Sequence, residues 1–281
     1  RTLLEVKDQD PVYEESLNSI HKDEKVAFVS PTQIQNDLLR LAKLHQLWRL
    51  KGYQPYSAEE ENDRSKEINS LLRICSHPFL IPDSERFYTN SLKMKRSELL
   101  LNSSSKFQFL DHILGILKLL HHRVLIFSHN TDLLKLINQF CAIKNFSAEL
   151  IISSSTDSEN STEIERFSQD DSETFIYLLS SHLGIRNGIN FNTPTTIIIF
   201  DPDWNPEDDI NSLKAGKSGK ELDAKVVNII RLITYQTYEH DAFVRSQRRY
   251  CIWLTILGVK PFEELNQPRM GVTPIRPPPN A

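Results

Sequence analysis

Apolar positions along this chain follow two rhythms that alternate after residue 105. One is helical spacing: Lys106–Leu120, Asp132–Lys144, a short stretch near Ile164, and a final run over Thr237–Leu257. Within Lys106–Leu120, residues Phe109, Ile113, Ile116 and Leu120 share one stripe, which is expected to face the core. The other rhythm is the short unbroken apolar run: VLIFS (Val124–Ser128), AELIIS (Ala148–Ser153), FIYLLS (Phe175–Ser180), TIIIFD (Thr196–Asp201) and VVNIIRLIT (Val226–Thr234). A strand that is apolar on both faces needs cover on both faces, and helices that alternate with such strands provide it in a parallel sheet. The pattern predicts an α/β fold.

Upstream of residue 105 the rhythm is mainly helical. VAFVSPTQIQNDLLRLAKLHQLWRL opens with a strand-like run and passes into helical spacing at Leu38, Leu41, Leu44 and Leu47. The charged EEENDRSKEI leads into a second helix, Arg64–Ser76, which ends before HPFLIP, where two prolines forbid continuation. Asp83–Ser104 is polar and uneven and reads as a linker or surface excursion. The expected organisation is a helical element and linker over 1–104, an α/β domain over 105–260, and a proline-rich tail over 261–281.

Composition narrows the function classes. An apolar content of 39% in 281 residues is enough for a sizeable core. No apolar run reaches the roughly 20 residues that a membrane span needs. The chain begins RTLLEVKDQD, without a charged-then-apolar leader, and is expected to be an intracellular segment of a longer protein. Cys75, Cys141 and Cys251 each sit among apolar residues, away from zinc-ligand spacing, and read as reduced core thiols; no metal site is expected. A net charge of −4 gives no global attraction to a polyanion, so nucleic-acid contact would rest on local basic patches. Eight glycines is well under the average of about 7%, which is poor material for a loop that wraps phosphates.

Five stretches, in order, resemble the second RecA-like lobe of the Swi/Snf family of chromatin-remodelling ATPases. LLRICSHPFLI (Leu71–Ile81) is similar to the family's Leu-Arg-Lys-x-Cys-Asn-His-Pro-x-Leu signature. SSKFQFLDHILGILKLLHHRVLIFSHNTDLLKLI (Ser104–Ile137) is similar to its Ser-Gly-Lys helix followed by His-Arg-Val-Leu-Ile-Phe-Ser. FIYLLSSHLGIRNGINF resembles motif V, TTIIIFDPDWNPEDDIN the strand and loop with Asp-x-Asp-Trp-Asn-Pro, and VVNIIRLITYQTYEHD the Arg-Leu-Ile-Thr-x-x-Thr-x-Glu segment. The CHD/ISWI-like branch is the most similar. The resemblance implies a RecA-like parallel sheet flanked by helices and preceded by a helical insertion, and a nuclear location. It also implies DNA or nucleosomes, and other subunits of a chromatin complex, as partners.

Such an ATPase works between two lobes: the first cradles phosphates and magnesium, and the second presents arginines to the charge that develops on the phosphoryl group. This chain has no GxxxxGK[ST] loop; Gly216-Lys217-Ser218 lacks its first glycine, because Asn211 stands there. No cofactor is expected in this segment, and ATP and magnesium enter only with an intact first lobe upstream. The family's last motif, Gln-Ala-x-x-Arg-x-x-Arg, aligned from the Asp-Trp-Asn-Pro loop, puts Ala215 and Ser218 at the arginine positions. Loss of an arginine finger costs about 10³ to 10⁵ in rate. The neighbouring lysines supply a point charge without the planar fork. In the motif V stretch the glycine pattern is altered, leaving Gly184, Gly188 and Asn190, with Lys217, as remnants of the nucleotide edge.

The resemblance therefore implies a degenerate lobe acting as a non-catalytic chromatin or DNA-binding module, or a platform for complex assembly. The alternative is the second lobe of an active, divergent DNA-dependent ATPase whose first lobe lies upstream, with Lys217 or Arg186 substituting for a finger. Candidate DNA contacts, through phosphates, are Lys93, Lys95 and Arg96; Lys214, Lys217 and Lys220; and Arg245, Arg248 and Arg249 on the last helix. Ordinary solvated charge is the competing account. Trp204 is either a DNA-tracking residue or a packing tryptophan at the sheet edge. His77 reads as a helix-end packing residue, His121-His122 as a solvated turn, and Asp201 with Asp203 as loop-shaping carboxylates.

Overall fold

The computed structural model describes residues 24–43, 64–151, 174–180, 196–201 and 228–256. Among them a six-stranded, all-parallel sheet runs in the order β1-β6-β5-β2-β4-β3. The strands are β1 (Glu24–Val29), β2 (Val124–Ser128), β3 (Ala148–Ile151), β4 (Ile176–Ser180), β5 (Thr196–Ile199) and β6 (Asn228–Thr234). The helices are α1 (Gln33–Lys43), α2 (Arg64–Ser76), α3 (Ser84–Leu92), α4 (Arg96–Asn102), α5 (Ser105–Leu119), α6 (Thr131–Ile143) and α7 (Tyr238–Ile256). VLIFS is central, paired with β4 on one side and β5 on the other. β2, β4 and β5 are buried at every position, as strands covered on both faces must be.

The strand predicted near Val26 joins this same sheet as an edge: β1 pairs in parallel with β6, from Glu24 opposite Ile229 to Val29 opposite Thr234. The sheet therefore draws on residues from both sides of position 104.

Two expectations are corrected. The polar 83–104 stretch forms α3 and α4, and it buries Ser84, Tyr88, Leu99, Leu100, Ser103 and Ser104. Its few apolar residues are spaced to meet α2, and Leu99 and Tyr88 join Leu38, Leu71, Ile74 and Ile81 in one cluster. The α5 stripe is also displaced: the residues turned inward are Phe107, Leu110, Leu114 and Leu117, while Ile116 and Leu120 are exposed and Phe109 and Ile113 lie half-buried. α5 is apolar on two sides, so periodicity alone does not say which side meets the sheet.

A buried polar seam joins the N-terminal helices to the sheet. Thr32 and Gln35 cap α1 reciprocally, the Gln35 amide receiving a bond from Oε1 and its backbone NH donating to Thr32 Oγ1 in the pattern T-x-x-Q: Thr32 NH donates to Gln35 Oε1 at 3.1 Å, and Gln35 NH to Thr32 Oγ1 at 3.2 Å. The fully buried Gln35 also donates through Nε2 to the carbonyls of Ile74 and Cys75, each at 2.9 Å, and accepts from Ser105 NH at 3.1 Å. Ser104 Oγ donates to Ser76 O at 2.8 Å, and Thr234 Oγ1 to Cys75 O at 3.1 Å. The last carbonyls of α2, which a helix leaves without an internal partner, are thus taken up by α1, α5 and β6.

His77 ends α2 as a buried cap. Its Nδ1 accepts from Phe79 NH at 3.0 Å, and its Nε2 lies 2.9 Å from Leu100 O, so Nε2 carries the proton. Packed between Phe79 and Phe107, the ring is held neutral, its pKa lowered to about 4 by burial. Cys75 and Cys141 are buried thiols, pushed up to about 12 by desolvation; the Cys251 side chain lies outside the described residues.

Candidate functional site at the carboxyl edge of the sheet

In an open parallel sheet, ligand sites form beyond the carboxyl ends of the strands. Here that edge carries Ser128, Ser180, Asp201 and Thr234 at the ends of β2, β4, β5 and β6. The segments 181–195 and 202–227 leave from the ends of β4 and β5. Gly184, Gly188 and Asn190 fall in the first segment. Trp204, Asp203, Lys214, Ala215, Lys217, Ser218 and Lys220 fall in the second. All of these, with Arg186 and the stretch near Ile164, lie outside the described residues.

What is described is the base on which those segments stand. Lys106, at the start of α5, is fully buried; its Nζ donates to Phe200 O at 2.7 Å and to Glu239 Oε1 at 2.6 Å. The second Glu239 oxygen accepts from Thr234 NH at 2.7 Å, and Thr237 Oγ1 donates to Thr234 O at 2.7 Å. One ion pair thus ties the exit of β5, the exit of β6 and the first turn of α7 to the first turn of α5. A buried charge pair is tolerated only when its remaining donors and acceptors are also satisfied, and three backbone groups do that here.

One residue past Phe200, Asp201 accepts from Ser128 Oγ at 3.0 Å through Oδ2 and from His129 NH at 3.2 Å through Oδ1. Burial raises its pKa to about 6, against the opposing pull of His129, Lys106 and the two hydrogen bonds. The carboxyl pins the end of β5 to the end of β2, the loop-shaping part that the sequence gives it. Ser128 donates to the carboxylate directly, so the arrangement is a structural latch rather than an activated nucleophile. Among the described residues, no three His, Cys, Asp or Glu side chains come together to hold a metal ion, and no helix is long and apolar enough to cross a membrane.

The described basic candidates differ in what they already do. Arg96 pairs with Glu85 and donates to Gln139 Oε1 at 2.9 Å, so its guanidinium braces α3 against α6. Lys93 and Lys95 are exposed in the turn between α3 and α4, Lys93 with a positive φ of 50°. Arg245 lies over the Tyr238 ring at 5.2 Å, and Arg248 and Arg249 are exposed on the same helix. His121 is an exposed turn residue with φ 55°, while His122 Nδ1 is 3.1 Å from Thr196 Oγ1 at the start of β5.

Sequence reasoning missed Lys106, Glu239 and Gln35. The signal for Lys106 was present: it stands four, eight and eleven residues before Leu110, Leu114 and Leu117, on the side of α5 that meets the sheet. Choosing the opposite stripe as the core left Lys106 among the surface charges.

Comparison with known proteins bears on this frame directly. Residues 105–214 match the helicase conserved C-terminal domain. The chain is 34% identical over 211 residues to the CHD3-type chromatin-remodeling factor CHR7 of Arabidopsis thaliana, covering 74% of this chain and 17% of that protein. It is 32% identical over 186 residues to the nuclear protein STH1/NPS1 of Saccharomyces cerevisiae, covering 66% of this chain and 13% of that one. With human chromodomain-helicase-DNA-binding protein 1 it shares 30% over 223 residues, 77% of this chain and 13% of that protein. The chain thus spans 17% or less of the length of these three curated relatives.

Two solved structures share the fold. The C-terminal part of the Fun30 ATPase domain superposes with a TM-score of 0.61 at 21% identity, over 80% of this chain and 89% of that one. The Sulfolobus solfataricus SWI2/SNF2 ATPase core, solved with double-stranded DNA, gives 0.61 at 18% identity, over 86% of this chain and 49% of that one. The fold and the edge site define a RecA-like helicase lobe. The chain belongs to the Swi/Snf family of chromatin remodellers and carries its C-terminal lobe. Its similarity extends to both CHD-type and SWI/SNF-type relatives, including snf22 of Schizosaccharomyces pombe at 30% identity.

Proposed function

We propose that this lobe is a non-catalytic chromatin module: it keeps the remodeller frame and has lost the parts that act on the transferred phosphoryl group. The observation that carries the reading is the register from Asp201 through DPDWNP, which sets Ala215 and Ser218 where the family has two arginines. An apolar methyl and a hydroxyl cannot neutralise the charge developing on a phosphoryl group. The frame that supports the reading is complete at the strand ends: Asp201 is latched to Ser128 and His129, and Lys106 and Glu239 brace the turn beside it. On this reading the segment itself takes no nucleotide or metal. ATP and magnesium enter the full protein only through an intact first lobe.

The partners in this reading are duplex DNA or the nucleosome, and other subunits of a chromatin complex in the nucleus. Support comes from the relatives' own names, a chromodomain-helicase-DNA-binding protein and a SWI/SNF complex subunit among them, and from the exposed Arg245, Arg248 and Arg249 on one helix. The test is duplex binding by the full-length protein with and without ATP. Binding that ignores ATP and weakens on charge reversal of the three arginines supports the module. Binding that is gated by ATP overturns it in favour of a divergent, active remodeller.

A further inference from the structure

The face of α5 turned away from the sheet carries large apolar side chains that the fold leaves uncovered. Leu119 is 81% exposed, Leu120 60% and Ile116 41%, and Phe109 and Ile113 continue the same side as half-buried neighbours. Ile143, at the corresponding end of α6, is 44% exposed. The two helix ends lie side by side, since Lys118 Nζ reaches Asn145 O at 3.4 Å and Lys144 pairs with Asp111 at 2.8 Å. This is the end of the sheet where strands begin, marked by the contact of His122 with Thr196. It is therefore opposite to the carboxyl edge from which the motif-bearing segments leave.

Three observations say what would cover it. The exposed residues recur at helical spacing over about three turns, which fits the stripe of another helix laid alongside. Gly115 sits in the middle of α5, where glycine costs helix stability, yet a Cβ there would meet nothing within 4 Å. Internal packing does not require that glycine, whereas a second backbone crossing beside Ile116 and Leu119 would use the space. Charge supplies the third. Asp111 is the single carboxylate in 105–123 and 140–147, and Lys144 neutralises it, while Lys118, Arg123, His112 and His121 flank the same surface. In a chain of net charge −4 this is a locally basic rim. Two copies of this face would oppose like charges, so self-association is disfavoured.

We propose that this outer face of α5 is a docking surface for an amphipathic helix with acidic flanks, supplied by a partner protein. The inference stands apart from ATP hydrolysis and DNA binding, because neither is made at this end of the sheet. The probe is a pair of fluorescein-labelled synthetic helices with the same leucine stripe, one flanked by Glu and one by Lys, titrated with the full chain and followed by anisotropy. The Glu-flanked helix is expected to bind at least about tenfold more tightly than the Lys-flanked one. Leu119→Glu and, separately, Gly115→Leu are each expected to weaken it about tenfold or more, while circular dichroism stays unchanged, because both sites face solvent. Equal affinity for the two helices, or affinity untouched by Leu119→Glu, overturns the proposal. So does a concentration-dependent dimer that Leu119→Glu dissolves, because the occupant would then be a second copy.

Discussion

Replacing Lys106 by Met tests whether the buried ion pair holds the carboxyl edge together. The substitution keeps most of the side chain's volume and removes its charge. Glu239 is left buried with one oxygen bound to Thr234 NH and the other without a donor, and Phe200 O loses its Nζ partner. Removing one member of a buried pair costs about 3–5 kcal/mol, most of it from the charge left uncompensated. The double variant Lys106→Met/Glu239→Leu removes that charge as well. Its cost is reduced to the stranded Phe200 carbonyl and Thr234 NH, about 1–3 kcal/mol each. The double variant is therefore expected to be no less stable than either single variant. The coupling between the two positions should be about 2 kcal/mol or more in an urea-unfolding double-mutant cycle on the full chain. A Lys106→Met cost under about 1 kcal/mol, or single effects that simply add, would refute the argument.

Three further outcomes follow from other parts of the structure. His77 titrates near 6.5 when unfolded and about 4 when folded, so its contribution is complete above pH 6.5 and is lost as pH falls toward 4. Asp201 runs the other way: its folded value of about 6 against 3.8 makes it favour the folded state at low pH, and that contribution is lost as pH rises from 3.8 to 6. Between pH 6 and 4 the two slopes oppose, so Asp201→Asn should lose stability about 1.4 kcal/mol per pH unit faster than the parent chain on acidification, and parallel urea-unfolding curves would refute this. Gln35→Leu strands Ile74 O, Cys75 O and Ser105 NH together, and should lower stability by about 3 kcal/mol or more by the same measurement. Gly115→Ala, at a helical site with open space, should raise stability by about 0.5–1 kcal/mol, seen as a higher urea midpoint.

How much of this was legible in the sequence depends on what each residue type can signal. VLIFS, FIYLLS and TIIIFD announce strands because unbroken β-branched and aromatic runs have no other use in a domain this polar, and all three appear where the pattern places them. The arrangement of the edge was hidden. A lysine at the head of a helix and a glutamate in TYEHD look like surface charge until the fold brings them within 2.6 Å across 133 positions. α5 misled for a related reason: with apolar residues on two sides, its orientation is decided by the sheet and by α6, not by its own spacing. The polar 83–104 stretch read as an excursion because much of what it buries is serine, whose hydroxyls and backbone are satisfied inside the protein by distant carbonyls.

The most direct test of the central claim is nucleosome-stimulated ATP turnover by the full-length protein, measured beside its Lys217→Ala variant. With Ala215 and Ser218 at the arginine positions, the rate is expected to stay at the protein-free background in both. Stimulated turnover in the parent that Lys217→Ala abolishes would contradict the account, because it would show the phosphoryl group being served by this edge after all.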